Sequence, residues 1–429
     1  MKPRASSPCL RAFAPILTLV STLMLSLLAP LPGLAQNGGP DGAGPAKPAR
    51  PAGGDGEGRR KSEPARADSP KMAETLFKRA MRDGLEIEAC LSLPAGEDAK
   101  TVRRAVLLIH GSGPLNMDSD FQPITHKKVP NRFFRDLRDA LIRRGFAVLR
   151  FHKRSYQIGR LEQPHARPSA AFLENPLQFF IDDAREMLEE LASRCPKARR
   201  LVVGHSQGAS IALQLARLDK SLAGFGLIGY TSLSLETLLF EQFVIRPMFV
   251  FRRLDEDHDG LLSAKELRGD ERDKATLRSQ LKILDLDRDG AISASEMKAG
   301  NLSNLVLRPE VGESMRRQEA ALPRAGTILA AEERPVAIFQ GLLDNQCFAY
   351  HAQAVQMCNA EVWKHPALKV TLFRGLGHAL DRRDSLMDLR YRRAEPSALA
   401  KVAAQLDELV PATAPVGPPA PSGDGKDSK

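Results

Sequence analysis

"LVVGHSQGAS", Leu201–Ser210, is the stretch whose reading decides the fold. Leu201, Val202 and Val203 form a short apolar run closed by Gly204. Such a run reads as a strand buried on both faces of a parallel sheet. The residues that follow, "GASIALQLARL", put Ile211, Leu215 and Leu218 on one helical stripe. Between strand and helix stands Gly-His-Ser-Gln-Gly. Ser206 would occupy a tight, strained bend, and Gly204 and Gly208 are required because side chains there would strike neighbouring backbone. The bend presents the Ser206 hydroxyl at the C-terminal edge of the sheet. The backbone N–H of Gln207, at the helix start, faces the place where an oxyanion would develop.

Outward from this elbow, strands and helices alternate. "AVLLIHGSG" and "FAVLRF" read as buried strands, and "GLEIEACLSLP" as a half-exposed one. "RFFRDLRDALIRRG" is an amphipathic helix ended by Gly145, "LQFFIDDAREMLEELASR" a second helix, and "AGFGLIGY" a further strand. The alternation stops over 232–334. It resumes with the strand "PVAIFQGLLD", a helix around Tyr350–Cys358, the strand "LKVTLFRGLGH" and a last helix from Glu395 to about Leu409. Repeated βα units predict a doubly wound, mostly parallel α/β sheet with helices on both faces.

A serine hydroxyl is a weak nucleophile and needs a base to take its proton and an acid to orient that base. With these residues in view, the chain resembles the α/β-hydrolase superfamily over about Gly84–Leu409, the interruption excepted. The resemblance implies eight strands and a triad in the order Ser, acid, His. It places the acid after the seventh strand, where "GLLD" offers Asp344, and the base after the last strand, where "GLGH" offers His378. Asp381 and Asp384 are rival acids that follow the base. The second oxyanion donor is expected after the third strand, where "HGSGP" makes the Ser112 N–H the candidate beside that of Gln207. This form resembles bacterial esterases and acyl-peptide hydrolases of the superfamily. His110 and His205 read as packing residues. After the fourth strand, relatives often carry Asp-x-Arg-Gly-x-Gly. Here "FHKRSYQIGR" brings His152, Arg154 and Ser155 instead, so the leaving-group side of the pocket departs from the pattern.

Within the interruption, "DEDHDGLLSAKE" (255–266) is repeated as "DLDRDGAISASE" (285–296). Both match the twelve-residue calcium loop of an EF-hand, which takes oxygens from positions 1, 3, 5, 7 and 12 with glycine at 6. The first loop offers Asp255, Asp257, Asp259, the Leu261 carbonyl and Glu266. The second offers Asp285, Asp287, Asp289, the Ala291 carbonyl and Glu296. Leu262 and Ile292 would pair between the loops. The close spacing of the two loops implies abbreviated helices between them. In the resembled superfamily this insertion stands where a lid covers the active site, so two calcium ions are expected to organise a lid at 232–334.

The ends are of a different kind. Basic residues, an apolar run from Ala12 to Ala29 and "PLPGLAQ" make 1–35 a signal peptide cleaved after Ala35, with an uncleaved membrane anchor as the alternative. Residues 36–70 and 411–429 are rich in Gly, Pro, Ala and charge, and read as disordered linker and tail flanking core segments 71–231 and 335–410. A secreted or periplasmic location follows. Of five cysteines, Cys90, Cys195, Cys347 and Cys358 remain after cleavage. Free thiols and disulfides both stay open, with Cys347–Cys358 the pairing favoured by nearness in sequence.

The net charge of +10 comes with only 5% aromatics and no aromatic–basic interleaving, so no nucleic-acid partner is expected. No later stretch is long and apolar enough to span a membrane. Taken together, the residues point to a secreted serine hydrolase cleaving carboxylic esters of a small or acylated substrate. A peptidase or acyl-aminopeptidase of the same superfamily is the alternative within enzymes. A non-catalytic calcium-dependent binding protein is the alternative outside them.

Overall fold

The computed structural model describes residues 69–120, 131–160, 169–232, 234–269, 271–306, 317 and 321–411. The expected signal peptide at 1–35, the linker but for its last two residues, and the tail beyond Pro411 lie outside the described residues.

Eight strands form one sheet. In chain order they are β1 (Met72–Ala80), β2 (Glu86–Pro94), β3 (Arg104–Ile109), β4 (Ala147–Phe151), β5 (Arg199–His205), β6 (Gly224–Ile228), β9 (Val336–Gly341) and β10 (Leu368–Phe373). Their spatial order is β1-β2-β4-β3-β5-β6-β9-β10. The pairs β1–β2 and β2–β4 are antiparallel, and every later pair is parallel. The fold is that of an α/β-hydrolase with a mostly parallel central sheet.

Successive strand residues point to opposite faces, so each apolar run feeds two cores at once. Leu107, Ile109, Val202 and Ile338 enter one core together with Ile181, Leu188, Ile211 and Leu215. The helical members of that set come from α4 (Pro176–Arg194) and α5 (Gln207–Leu218). Val106, Leu108, Val203 and Phe339 enter the other with Phe134, Leu141, Val402 and Leu406. These helical residues belong to α1 (Phe133–Ile142) and α12 (Pro396–Leu409). Each fully buried side chain of this kind contributes about 1.5–3 kcal/mol. Central strands are therefore mostly apolar, because neither face meets water.

The first strand was not read from the sequence. "MAETLFKRA" is exposed along most of its length, so it shows no clean alternation. It is held by antiparallel pairing with β2 along its length and by Glu74, whose Oε1 accepts from Ser92 Oγ at 2.8 Å, Arg138 Nη1 at 2.8 Å and Arg150 Nη2 at 2.7 Å.

Between β6 and β9 lies a separate body with its own small core of Met248, Phe251, Leu254, Leu262, Leu277 and Ile292, among others. Its first helical segment runs as α6 (Leu235–Phe240), a π turn (Glu241–Ile245) and α7 (Pro247–Leu254). Next come β7 (Leu261–Ser263), α8 (Arg272–Leu284), β8 (Ala291–Ser293) and α9 (Ala294–Val306). Leu262 lies opposite Ile292 in the antiparallel β7–β8 pair. Only a turn follows β7, so the connection between the two loops carries one full helix, α8.

The cysteine pairing favoured above is not formed: Cys90, Cys195, Cys347 and Cys358 are all free thiols. Cys347 is buried in the loop after β9, whereas Cys358 is exposed at the end of α11 (Tyr350–Cys358). Among the described residues no helix is long and apolar enough to cross a membrane.

Candidate active site

Ser206 links β5 to α5 with φ at 55°, the left-handed region that a non-glycine residue enters at a cost of about 1–3 kcal/mol. Its N–H donates to the Ile228 carbonyl at 2.8 Å, and its own carbonyl accepts from Ala209 N at 2.8 Å. The bend leaves no room beside it. A Cβ on Gly204 would stand 2.0 Å from the Gly208 carbonyl oxygen, and one on Gly208 would stand 2.1 Å from that of Ile109. Both glycines are thus required by backbone packing, at the positions the elbow pattern names.

The candidate acid and base, Asp344 and His378, come from adjacent loops at the same sheet edge. His378 Nδ1 lies 2.8 Å from Asp344 Oδ2. The two loops pack backbone to backbone, since a Cβ on Gly341 would meet the Gly377 carbonyl oxygen at 2.4 Å. Asp344 is fully buried. Burial alone would raise its pKa, but His378 and the N–H groups of Cys347 and Gln346 hold it below the usual carboxylate value. Those N–H groups donate to Oδ1 at 2.9 and 2.8 Å, and Gln340 Nε2 donates to Oδ2 at 2.8 Å. With Nδ1–H facing the carboxylate, Nε2 of His378 is left to accept a proton. No hydrogen bond joins the Ser206 hydroxyl to His378 among the described residues. The rival Asp381 is committed elsewhere, to Arg383 Nε at 2.8 Å.

His205, expected as a packing residue, also places the base. Its ring packs on Phe133 and on His378, and its Nε2 lies 3.1 Å from the His378 carbonyl oxygen. A carbonyl can only accept, so Nε2 carries the proton. Burial first, and then the nearby His378, push the His205 pKa down to about 3, which keeps the ring neutral. His110 lies under the following loop, its Nε2 2.9 Å from the Asn116 carbonyl.

Gln207 opens α5, so its N–H has no acceptor within the helix. Ser112 lies in the loop after β3. Its N–H shares a peptide plane with the Gly111 carbonyl, and no cis bond occurs among the described residues, so the two point in opposite directions. Lys153, which sequence reasoning passed over, fixes this arrangement. Its Nζ donates to Gly111 O at 2.5 Å and to Gln207 Oε1 at 2.7 Å. The ammonium also lies 4.3 Å from the Phe180 ring centre, and burial pulls its pKa down to about 7. Its neighbours in the altered motif have other tasks. Arg154 Nε pairs with Asp183 Oδ2 at 2.9 Å, His152 Nδ1 accepts from Met117 N at 2.9 Å, and Ser155 Oγ donates to Gly113 O at 3.3 Å.

In the inserted body, the carboxylates of Asp255, Asp257 and Asp259 can bring oxygens within 4.8 Å of one another, as can those of Asp285, Asp287 and Asp289. His258 and Gly260 have φ at 61° and 84°, and Arg288 and Gly290 at 66° and 92°, so both loops coil alike. Gly260 N donates to Asp255 Oδ2 and Gly290 N to Asp285 Oδ2, at 3.2 and 3.1 Å. The other oxygen of each carboxylate, Oδ1, is buried without a hydrogen-bond partner. A buried acceptor left unpaired is costly, and an all-oxygen set of this kind suits a hard divalent cation. Glu266 and Glu296 fold over the loops, each accepting from main-chain N–H groups at both oxygens. The Ser293 N–H, foremost among several such donors, holds the Glu296 pKa down to about 2.

Residues 106–389 match the model of the family described as "Alpha/beta hydrolase family". A curated relative, Esterase EstD of Thermotoga maritima, is 33% identical over 117 residues, which are 27% of this chain and 24% of that one. The chain thus spans about a quarter of that relative's length. Among solved structures, an esterase of Pyrococcus furiosus overlays 79% of this chain and 92% of its own, at TM-score 0.44 and 12% identity. An acylaminoacyl peptidase of Pyrococcus horikoshii overlays 79% of this chain and 41% of its own, at TM-score 0.42 and 12% identity. The family match takes in β4, β5, β6, β9 and β10, together with Ser206, Asp344 and His378. This chain belongs to the alpha/beta hydrolase family.

Proposed function

We propose that the protein hydrolyses carboxylic esters through an acyl-enzyme on Ser206. The observation that carries this reading is a strained serine elbow at one sheet edge with a buried, hydrogen-bonded Asp344–His378 pair on the loops beside it. Ser206 Oγ attacks the ester carbonyl while His378 Nε2 takes its proton. Asp344 stabilises the resulting imidazolium through Nδ1–H. The N–H groups of Ser112 and Gln207 receive the oxyanion, with Lys153 fixing the Gly111–Ser112 peptide plane and holding the Gln207 side chain. His378 then gives its proton to the leaving alkoxide, and water repeats the sequence on the acyl-enzyme.

In the same reading, the inserted body is a lid with a pair of EF-hand loops. Asp255, Asp257, Asp259, the Leu261 carbonyl and Glu266 hold one calcium ion. Asp285, Asp287, Asp289, the Ala291 carbonyl and Glu296 hold the other. The ions neutralise crowded carboxylates and so let a small apolar core keep one shape. The two orphaned Oδ1 atoms support this assignment. Export of the chain, with cleavage after Ala35, completes the proposal. Extracellular calcium then suffices for hands of millimolar affinity.

A panel of nitrophenyl esters and aminoacyl anilides, run with calcium and with chelator, tests the reaction. Ester turnover blocked by a fluorophosphonate is expected. Faster anilide cleavage would favour the peptidase, and no turnover together with no labelling would reject catalysis. N-terminal sequencing of exported protein, expected to begin at Gln36, tests the compartment.

A further inference from the structure

Among the described residues, the inserted body carries a buried cation without a counter-ion. Arg246 joins the π turn to α7, and its N–H donates to the Glu241 carbonyl at 2.8 Å, an i→i+5 bond. Pro247 follows and has no N–H to give, which suits a widened turn before it. The wide turn sets Arg246 above Glu241 on one face, and both side chains are buried. Glu241 is satisfied by His351 Nε2 at 3.1 Å. Arg246 is 6% exposed, yet its Nε and Nη2 have no hydrogen-bond partner and no ion pair holds it among the described residues.

This face looks onto the acid–base pair. Gln242 Nε2 donates to the Gln346 carbonyl at 3.2 Å, and the Phe249 ring meets that of Phe348 edge-on at 5.8 Å. Both partners lie just beyond Asp344 in the chain. After burial, the groups that act most on Arg246 are Tyr391, Arg383, Asp344 and Asp273. Tyr391 in turn stands edge-on to the His378 ring at 6.5 Å. None of the three charged groups is at Arg246's disposal. Asp344 serves His378, Asp273 pairs with Arg253, and Arg383 pairs with Asp381.

A buried, unpaired guanidinium is costly, a cost removed when an anion arrives. The planar fork matches a carboxylate with two parallel bonds. We infer that Arg246 is the recognition point for a carboxylate carried by the substrate, so the enzyme's substrates are anionic esters. The inference rests on the ester hydrolysis proposed above and adds the class of substrate.

The test pairs esters that differ in one charge. Nitrophenyl hydrogen glutarate against nitrophenyl valerate probes a carboxylate on the acyl side. 4-Butyryloxybenzoate against phenyl butyrate probes one on the alcohol side. The full-length enzyme is expected to favour one anionic member at least about tenfold in kcat/KM. Arg246→Met should erase that preference through KM, leaving the neutral ester within about threefold and the thermal midpoint no lower, and Arg246→Lys should keep part of it. Equal rates for charged and neutral members on both sides would overturn the inference, as would equal loss on both in a folded Arg246→Met. Glutarate binding to Ser206→Ala, read by calorimetry and lost when Arg246→Met is added, tests the subsite without turnover. Glutarate bound there by an enzyme that cleaves no ester would uphold the subsite and reject the reaction. Absence of glutarate binding, with no preference among the esters, would reject the subsite.

Discussion

Lys153 Nζ donates to the Gly111 carbonyl, whose peptide also supplies the Ser112 N–H, and the same ammonium holds the Gln207 side chain. One buried cation thus holds the loop peptide and the side chain of the two residues proposed to supply the oxyanion N–H groups. Lys153→Met is expected to lower kcat about 10- to 100-fold with KM little changed, because one lost oxyanion contact costs up to about 10³-fold. Steady-state kinetics on a nitrophenyl ester check it, and an unchanged kcat would remove Lys153 from the machinery.

The same residue sets a pH dependence. Burial depresses its pKa from 10.5 to about 7, so its charge is lost in the folded protein above neutrality. Activity is expected to fall as pH rises through about 7, and Lys153→Arg should remove that fall because arginine keeps its charge. The stability effect has the opposite trend. Between about 7 and 10.5 the unfolded chain binds more protons, so stability rises with pH across that window. Lys153→Met should abolish the rise and increase the midpoint at neutral pH. Thermal melts from pH 6 to 10 measure both.

Ser206→Ala is expected to abolish fluorophosphonate labelling and to cut ester turnover by at least about 10³-fold while the protein stays folded. Asp344→Asn should also lose most activity, since the amide cannot hold His378 in the tautomer that accepts at Nε2. A Ser206→Ala protein that still labels would place the nucleophile elsewhere.

Gly208→Ala should cost about 2 kcal/mol or more, because its Cβ would fall 2.1 Å from the Ile109 carbonyl oxygen. Gly159→Ala, with nothing within 4 Å of the added carbon, is the control and should be neutral or slightly stabilising. Denaturant titrations of the two compare them directly.

Calorimetry is expected to find two calcium ions per chain, and Glu266→Gln or Glu296→Gln to weaken one each. Chelation should speed proteolysis within 232–334 and raise KM, while Ser206 still labels. Binding with unchanged proteolysis and kinetics would keep the metal and reject its part in the lid.

The central strands, the elbow and the loops of Asp344 and His378 were legible because burial on both faces writes an unbroken apolar run. Gly204 and Gly208 are legible for a related reason, that close backbone contact admits one residue type. Lys153 was not, because a lysine after a strand carries no sign that its ammonium turns inward to main-chain oxygens. His205 read as packing because its second task depends on a carbonyl distant in sequence. Arg246 lay unseen among many surface arginines of a chain with net charge +10. Its burial arises where the inserted body packs on the loop after β9. The Cys347–Cys358 pairing failed because nearness along the chain does not bring two side chains to one environment.

Glu74 makes the first strand more than an appendage. Its carboxylate serves Arg138 and Arg150 together and, despite partial desolvation, is held below its usual pKa by those two charges. The attachment is therefore full above the ordinary carboxylate range and persists somewhat below it. Were β1 to peel away, each arginine would lose a partner. The freed side of β2, with Ile87, Leu91 and Leu93 along it, would become an open ladder for another molecule. The mostly exposed strand thus acts as a cap against self-association, and acid strong enough to protonate Glu74 should show its failure first as turbidity, ahead of any loss of the sheet behind it.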